Sequence, residues 1–343
     1  MLRWFEEAGA NNDVIISSRI RLARNLNAYP FSTRMTSEQA DRMLAETGKV
    51  LLKLPATEEF RDYVLEDLDE IQKEALVERN VISRYLMNQN QAMFFVSEDE
   101  KNSIMLNEED HIRIQCIEAG MNLWEAYERA GKLDDDIGAR VLYAYDENFG
   151  YLTTCPSSVG TGMKASCVMH LPALGNSKKI QALMGEIGHF GINMKGMYGE
   201  DGSGCGHIYQ ISNQKTLGLS EEEIIGNLEN IAQQIAGQER ECRRQVLKNE
   251  RSKLEDEIYK SYGILKYSRR LKFKDAMLFL SELRLGLALG LVTFQENTDF
   301  IVYQLMIGIQ PANLKLIAGD HPSDDKLEEI RAKFIRENLP LIN

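Results

Sequence analysis

Apolar positions along the first ~216 residues alternate between two periods. Val14 opens a β-branched run that continues through SSRIRLARN (17–25) and predicts a strand. Ser37–Leu54 carries Met43, Leu44, Val50 and Leu51 among charges, the spacing of an amphipathic helix. Ala92–Val96 and Ser103–Leu106 predict two short strands around the acidic turn SEDEKN (97–102). From Ile112 to Ala130 the spacing predicts a helix, with Gly131 as its stop. Val141–Tyr145 and Tyr151–Thr154 flank DENFG (146–150), a hairpin pattern, and Ala165–Leu171 predicts a further strand ended by Pro172.

After Leu219 the strand signal vanishes. Ser220 and Glu223 form a capping-box pattern that opens a helix running to about Tyr262, with Gly263 beyond it. Helical spacing then recurs over 274–292, 299–308 and 323–338. The chain therefore divides near 220–250 into a mixed α/β part and an all-helical part. No internal repeat or flexible linker separates them.

Composition narrows the class. The 343 residues are 43% hydrophobic, with no apolar run of the ~18 residues that a membrane span needs. The N-terminus MLRWFEEAGANND lacks the pattern of a secretory signal. Five cysteines (116, 155, 167, 205 and 242), odd in number and without a CxxC pair, argue for a reducing cytoplasm. The 52 acidic and 40 basic residues leave a net charge of −12, which disfavours nucleic acid as a partner.

Four clusters carry candidate chemistry. In SSRIRLAR, Arg19 and Arg21 are two apart, which on a strand places both guanidinium groups on one face, as a phosphate site or as a solvated edge. NEEDHIR (107–113) fits a helix N-terminus capped by Asn107, or a metal pair from Asp110 and His111. The five histidines (111, 170, 189, 207, 321) show no HExxH spacing, and Cys205 with His207 is a lone C-x-H, so no metal site is assigned. CPSSVGTGMKAS (155–166) is neither a Walker A loop nor a Rossmann turn, because Gly162 is followed by strand alternation. Its glycines at 160 and 162 still allow backbone N–H groups to meet an anion beside Lys164. KGMYGEDGSGCGHIYQISN (195–213) reads as a glycine-rich mobile loop with Glu200 near its tip.

SSRIRLARN, NEEDHIRIQ, CPSSVGTGMKAS and KGMYGE…ISNQKTLG, in this order, resemble the motifs of the phosphagen (guanidino) kinases, most closely the bacterial branch that phosphorylates arginine in proteins. IQPANL (309–314) and EIRAKFIRENL (329–339) resemble that branch's tail. The resemblance implies an antiparallel sheet flanked by helices over 14–246, followed by an all-helical domain over 247–343 that serves dimerisation or substrate recognition. It implies transfer of the γ-phosphoryl group of ATP, carried with Mg²⁺, to arginine side chains exposed on protein substrates. The chain begins at the catalytic domain, without the small helical domain of the metabolite-phosphorylating members, which also points to a protein substrate. An activator protein, a Clp protease or chaperone that takes the marked proteins under stress, and a homodimer complete the implied setting.

The residues carry over by position. Glu109 and Glu200 match the two catalytic glutamates, and Cys155 matches the active-site cysteine that tunes the guanidinium as a thiolate. The ATP positions are Ser17, Ser18, Arg19, Ile20 and Arg21, then Asn80 and Arg113. They continue with Lys164, Ala165, Ser166, Cys167 and Val168, and with Lys195, Gly196, Met197, Tyr198, Gly199 and Glu200. Lys164 and Lys195 stand where arginine is usual, which keeps the charge and loses the planar fork. Asn80 stands where histidine is usual. In the tail LEEIRA (327–332) replaces an RDxxRA phosphoarginine-sensing motif, leaving Glu328 and Arg331 as the corresponding allosteric positions. These departures motivate an alternative, a degenerate guanidino-kinase fold that binds ATP or arginine without transfer.

Overall fold

The computed structural model describes residues 2–199, 204–295, 301–319 and 322–343. In chain order the first half holds β1 (Ile15–Arg24), α1 (Ser37–Leu51), β2 (Phe60–Val64), α2 (Glu70–Glu78), α3 (Arg84–Met87), β3 (Met93–Ser97), β4 (Asn102–Leu106), β5 (Ile112–Ala119) and α4 (Leu123–Gly138). A small hairpin, β6 (Tyr145–Asp146) and β7 (Gly150–Tyr151), leads to β8 (Met163–His170), α5 (Pro172–Asn176), α6 (Ile180–Gly188), β9 (Ile192–Tyr198) and β10 (Gly204–Asn213). The remainder is helical: α7 (Glu221–Tyr267), α8 (Phe273–Ala288), α9 (Ile301–Gly308), α10 (Pro311–Ala318) and α11 (Asp324–Asn338). Eight strands form one antiparallel sheet in the order β2-β3-β4-β5-β1-β8-β10-β9. A mixed sheet-and-helix part followed by helices is what the hydrophobic periods predicted.

Three local expectations change. The helix predicted over 112–130 is the strand β5 followed by α4. Ile112, Ile114 and Cys116 alternate, but β5 is buried on both faces, so its apolar density imitates a helix. Gly131 sits inside α4 rather than ending it, and α7 runs through Gly263 to Tyr267. Of the stretch 195–213 predicted as a mobile loop, 195–198 belong to β9 and 204–213 to β10, while 200–203, with the predicted tip at Glu200, lie outside the described residues. There Gly206 has φ +64°, and a Cβ on it would lie 2.9 Å from the carbonyl oxygen of Met277 in α8. That glycine marks a close approach of backbones, not looseness.

Register sorts the side chains. Arg21 on β1 lies opposite Lys164 on β8 and Gln115 on β5, Ala23 opposite Arg113, and Arg19 opposite Ser166. Gln210 on β10 pairs with Val168 and with Lys195 on β9. Paired residues share a face and alternate residues repeat it. Arg19, Arg21, Arg113, Lys164 and Lys195 therefore all project from one side of the sheet. The other side is apolar: Ile20, Leu22, Ile114, Cys116, Ala165, Cys167 and Ile211 are buried under α1, α4, α6 and the first half of α7.

The cationic side is covered only at its flanks. Leu76, Phe94 and Met105 pack α2 and α3 over β3 and β4. Ile117, Val168 and Ile208 meet the C-terminal helices, beyond the point where α7 is interrupted at Glu250 (φ −134°, ψ 29°). A cleft stays open between these two covers.

Arg24, the last residue of β1, points the other way and is fully answered. Its guanidinium forks onto Asp134 of α4 at 2.7–3.1 Å, donates to the carbonyl of Thr161 at 3.0 Å, and lies 3.5 Å from the Tyr151 ring centroid. Asp134→Ala should destabilise the fold by about 3–5 kcal/mol, because it strands a buried charge. A fall in the urea midpoint with an unchanged slope checks this.

Candidate active site

The open cleft has a volume of about 560 Å³ and is lined by Arg19 and Arg21 from β1, Gln115 from β5, Lys195 to Tyr198 from β9 and Gln210 from β10. The α2 side contributes Glu78, Asn80 and Ser83, and the helical domain contributes Phe273, Gln310 and Pro311. Arg19 donates to Asn80 Oδ1 at 3.3 Å and to Gln210 Oε1 at 3.0 Å, both neutral acceptors. Asn80 holds its position with φ +62°, a conformation asparagine tolerates better than most residues. The Nε atoms of Arg19 and Arg21 are buried without hydrogen-bond partners among the described residues.

Crowded cations disfavour one another's charge. Loss of water around Arg19, with Arg113 nearby, lowers it to about 10. Burial and then Arg19 and Arg113 pull Arg21 well below its usual value. Lys164 falls to about 8, first through burial and then through Arg21 and Lys195. Lys195 is lowered by burial, Arg19 and Arg21. The cluster is short of negative charge, and a polyanion entering the cleft would supply it.

The acids stand at one edge of this cluster, in the turn from Asn107 to His111 that joins β4 to β5. Asn107 has φ +58° and its N–H donates to the His111 carbonyl at 2.9 Å. The segment is thus a tight turn and not a helix N-terminus. His111 Nδ1 accepts from the Leu26 N–H at 2.9 Å, which leaves Nε2 to donate to the Pro30 carbonyl at 2.9 Å. Asp110 accepts from Asn25 Nδ2 at 2.6 Å and from the Thr154 N–H at 2.7 Å. Both groups of the Asp110–His111 pair are thereby committed to the fold, and no group of three metal-ligating side chains occurs among the described residues.

Glu108 is buried, accepts from Ser83 Oγ at 2.6 Å and pairs with Arg113. Glu109 keeps its carboxylate unpaired among the described residues. Burial, then Asp110 and Glu108, raise its pKa above the ordinary carboxylate value. The Asp110–Thr154 bond joins this turn to the loop after β7, one residue from Cys155. Cys155 Sγ lies 3.0 Å from Ser157 Oγ and within electrostatic reach of Lys164, whose Nζ donates to the Asn213 carbonyl. Glu109, Cys155 and the cations Arg21, Arg113 and Lys164 thus belong to the neighbouring strands β1, β5 and β8 and the loops that enter them.

Not every position carried over by resemblance presents its side chain here. Ser17 and Ser166 share the cationic face, while Ile20, Ala165 and Cys167 project into the core and Val168 lies under the helices. The Ser18 hydroxyl donates to the Gly120 carbonyl at 2.8 Å. Gly196, Met197 and Tyr198 line the cleft, with Gly199 next in the chain, and Glu200 lies outside the described residues. In α11, Arg331 is buried and donates to the carbonyls of Ile309 at 3.2 Å and Leu271 at 3.0 Å. Glu328 accepts from Arg270 at 3.0 Å. These two side chains join helices to one another. Gln115, Gln210 and Gln310 were given no role in the sequence reading, although a glutamine in an otherwise apolar strand, as at Gln115 and Gln210, is a signal of a polar face.

Comparison with known proteins adds an independent line. Residues 42–242 match the family model of the ATP:guanido phosphotransferase C-terminal catalytic domain, and 251–343 match that of the protein-arginine kinase McsB C-terminal domain. A protein-arginine kinase of Bacillus mycoides (strain KBAB4) is 41% identical over 338 residues, 98% of this chain and 95% of the relative. One from Geobacillus stearothermophilus is 42% identical over 339 residues, covering 98% and 93%. Among solved structures, a lombricine kinase superposes with a TM-score of 0.60 at 22% identity, over 71% of this chain and 69% of its own. The substrate-free duplicated taurocyamine kinase from Schistosoma mansoni gives 0.60 at 20% identity, over 91% and 48%. The two structures share the fold. With both halves matched and relatives similar over nearly their whole length, the chain belongs to the protein-arginine kinase family of ATP:guanido phosphotransferases.

Proposed function

We propose that this chain transfers the γ-phosphoryl group of ATP to a guanidinium nitrogen of arginine side chains in proteins. The observation that carries it is the juxtaposition of Arg19, Arg21, Arg113, Lys164 and Lys195 on one sheet face with the unpaired Glu109. Phosphoryl transfer consists mainly of alignment and charge neutralisation, so the cations hold the triphosphate and stabilise the charge that moves onto its β-phosphate. Mg²⁺ enters on the ATP, bound chiefly by phosphate oxygens and water, and supplies further neutralisation.

Guanidinium is a poor nucleophile until its plane is fixed and a proton is removed. Glu109, raised by its surroundings, accepts that proton as the nitrogen–phosphorus bond forms and the bond from the γ-phosphorus to the bridging oxygen breaks. By resemblance, Glu200, which lies outside the described residues, is the second catalytic glutamate and Cys155 is the cysteine that contacts the guanidinium. The products are ADP, phosphoarginine and one proton. The reading extends, by resemblance, to a cytoplasmic homodimer that works with an activator protein and marks proteins for a Clp-type protease under stress. Five free cysteines agree with a reducing compartment.

Asn80 and the two lysines are the motive for the alternative, a degenerate binding module, and the presence of Glu109 and Cys155 favours transfer. Asn80 accepts from Arg19, and Lys164 and Lys195 stand on the same face as the arginines.

Purified protein with Mg-ATP and an unfolded, arginine-bearing substrate should yield acid-labile phosphoarginine by mass spectrometry. Glu109→Gln should lower kcat by about a hundredfold or more with little change in ATP affinity. ATP binding without phosphoarginine would leave the binding module in its place. A second outcome follows from Lys164, whose charge is present below about 8 and lost above it. The Kd for ATP, measured by titration, should rise by up to about tenfold between pH 7.5 and 9. Lys164→Arg should flatten that rise.

A further inference from the structure

Packing alone does not account for the part of the helical domain that reaches the cleft. Gln310 precedes α10 and lines the cleft with Phe273 and Pro311, beside Met197 and Tyr198. It is 6% exposed, its Nε2 has no hydrogen-bond partner among the described residues, and its side chain makes no capping bond to the helix it precedes. Leaving a buried amide unanswered costs about 1–3 kcal/mol. Rotation about its last side-chain torsion exchanges Nε2 and Oε1, so either end of the amide can face the cleft.

The surrounding contacts hold this amide in place. The Glu78 carboxylate accepts from the N–H groups of Ala312 and Asn313, both at 2.8 Å, and from Asn313 Nδ2 at 2.9 Å. Arg79 donates to Asn313 Oδ1 at 3.1 Å, and Asn80 holds Arg19. Three consecutive residues thus fasten α10 on one side and a phosphate-facing arginine on the other.

Beside the polar side chains Glu74, Glu78, Ser83 and Arg84 of the α2 side, the lining divides by chemistry. Arg19, Arg21 and Lys195 suit a triphosphate. Val77, Ile82, Met197, Phe273 and Pro311 are apolar and suit the faces of a purine ring. A neutral amide among apolar groups matches the hydrogen-bonding edge of a base and not a phosphate. We infer that Gln310 of the helical domain is a nucleotide-binding residue whose amide pairs with the purine ring of ATP, against a wall made by Phe273 and Pro311. This deepens the proposed function and rests on the cleft being the ATP site.

Calorimetric titration of the full chain decides it, using wild type, Gln310→Ala and the similarly shaped Gln310→Glu, each against ATP and against inorganic tripolyphosphate. The Kd for ATP should rise about five- to tenfold in both variants, with tripolyphosphate held within about twofold of wild type. Unchanged ATP affinity overturns the inference. So does an equal loss for both ligands, since the residue would then act on the phosphates or on the fold. Failure of the kinase proposal is distinguishable: wild type that binds ATP and makes no phosphoarginine still leaves the affinity comparison to decide.

Discussion

Like charges held close together on one half-open sheet face are the constraint from which the rest of the architecture follows. An antiparallel register with Arg21 opposite Lys164 and Ala23 opposite Arg113 cannot separate these cations, because paired strands lie about 4.8 Å apart. Their repulsion is tolerated because the face is only partly covered, so water and an incoming anion can reach it. Full coverage by helices, as on the opposite face, would demand a buried carboxylate for every cation. Arg24 shows that alternative: on the same strand, pointing into the core, it has a forked carboxylate, a carbonyl acceptor and an aromatic ring.

The same contrast explains how the three adjacent acids divide their work. Glu108 neutralises Arg113, and Asp110 ties two loops together through Asn25 and Thr154. Of the three, only Glu109 makes no hydrogen bond or ion pair through its carboxylate among the described residues, in a place where burial and two acidic neighbours outweigh Arg113 and hold its proton more tightly. A carboxylate in that state can take a proton from a bound guanidinium, and one already paired with arginine cannot do so without breaking its pair. The buried His111 gives the turn its stiffness by bridging the Leu26 N–H and the Pro30 carbonyl.

Much of this was legible in the sequence, for identifiable reasons. The two-residue spacing of Arg19 and Arg21 predicted a shared face, and the strand alternation after Gly162 placed Lys164 on a strand as well. The switch to purely helical spacing after Leu219 marked the change of architecture. What escaped was tertiary. β5 is buried on both faces, so its period was hidden, and Gly206 of β10 is a glycine where α8 crosses closely. The Asp110–Thr154 bond joins residues 44 positions apart, and no local pattern announces it. The contribution of α10 to the cleft was invisible because its short helix was not foreseen, and Gln310, although inside the IQPANL stretch, lies 100 positions or more from the other lining residues except Phe273 and Pro311.

As proposed, the cation cluster is a polyanion site whose mutual repulsion is relieved on binding. Thermal unfolding with and without millimolar Mg-ATP, at constant ionic strength, tests it most directly. A ligand at about a hundred times its Kd adds about 2.7 kcal/mol to the folded state. The unfolding midpoint should therefore rise by several degrees. A midpoint that does not move at saturating concentrations would contradict the account, because the charges would then be answered within the protein itself.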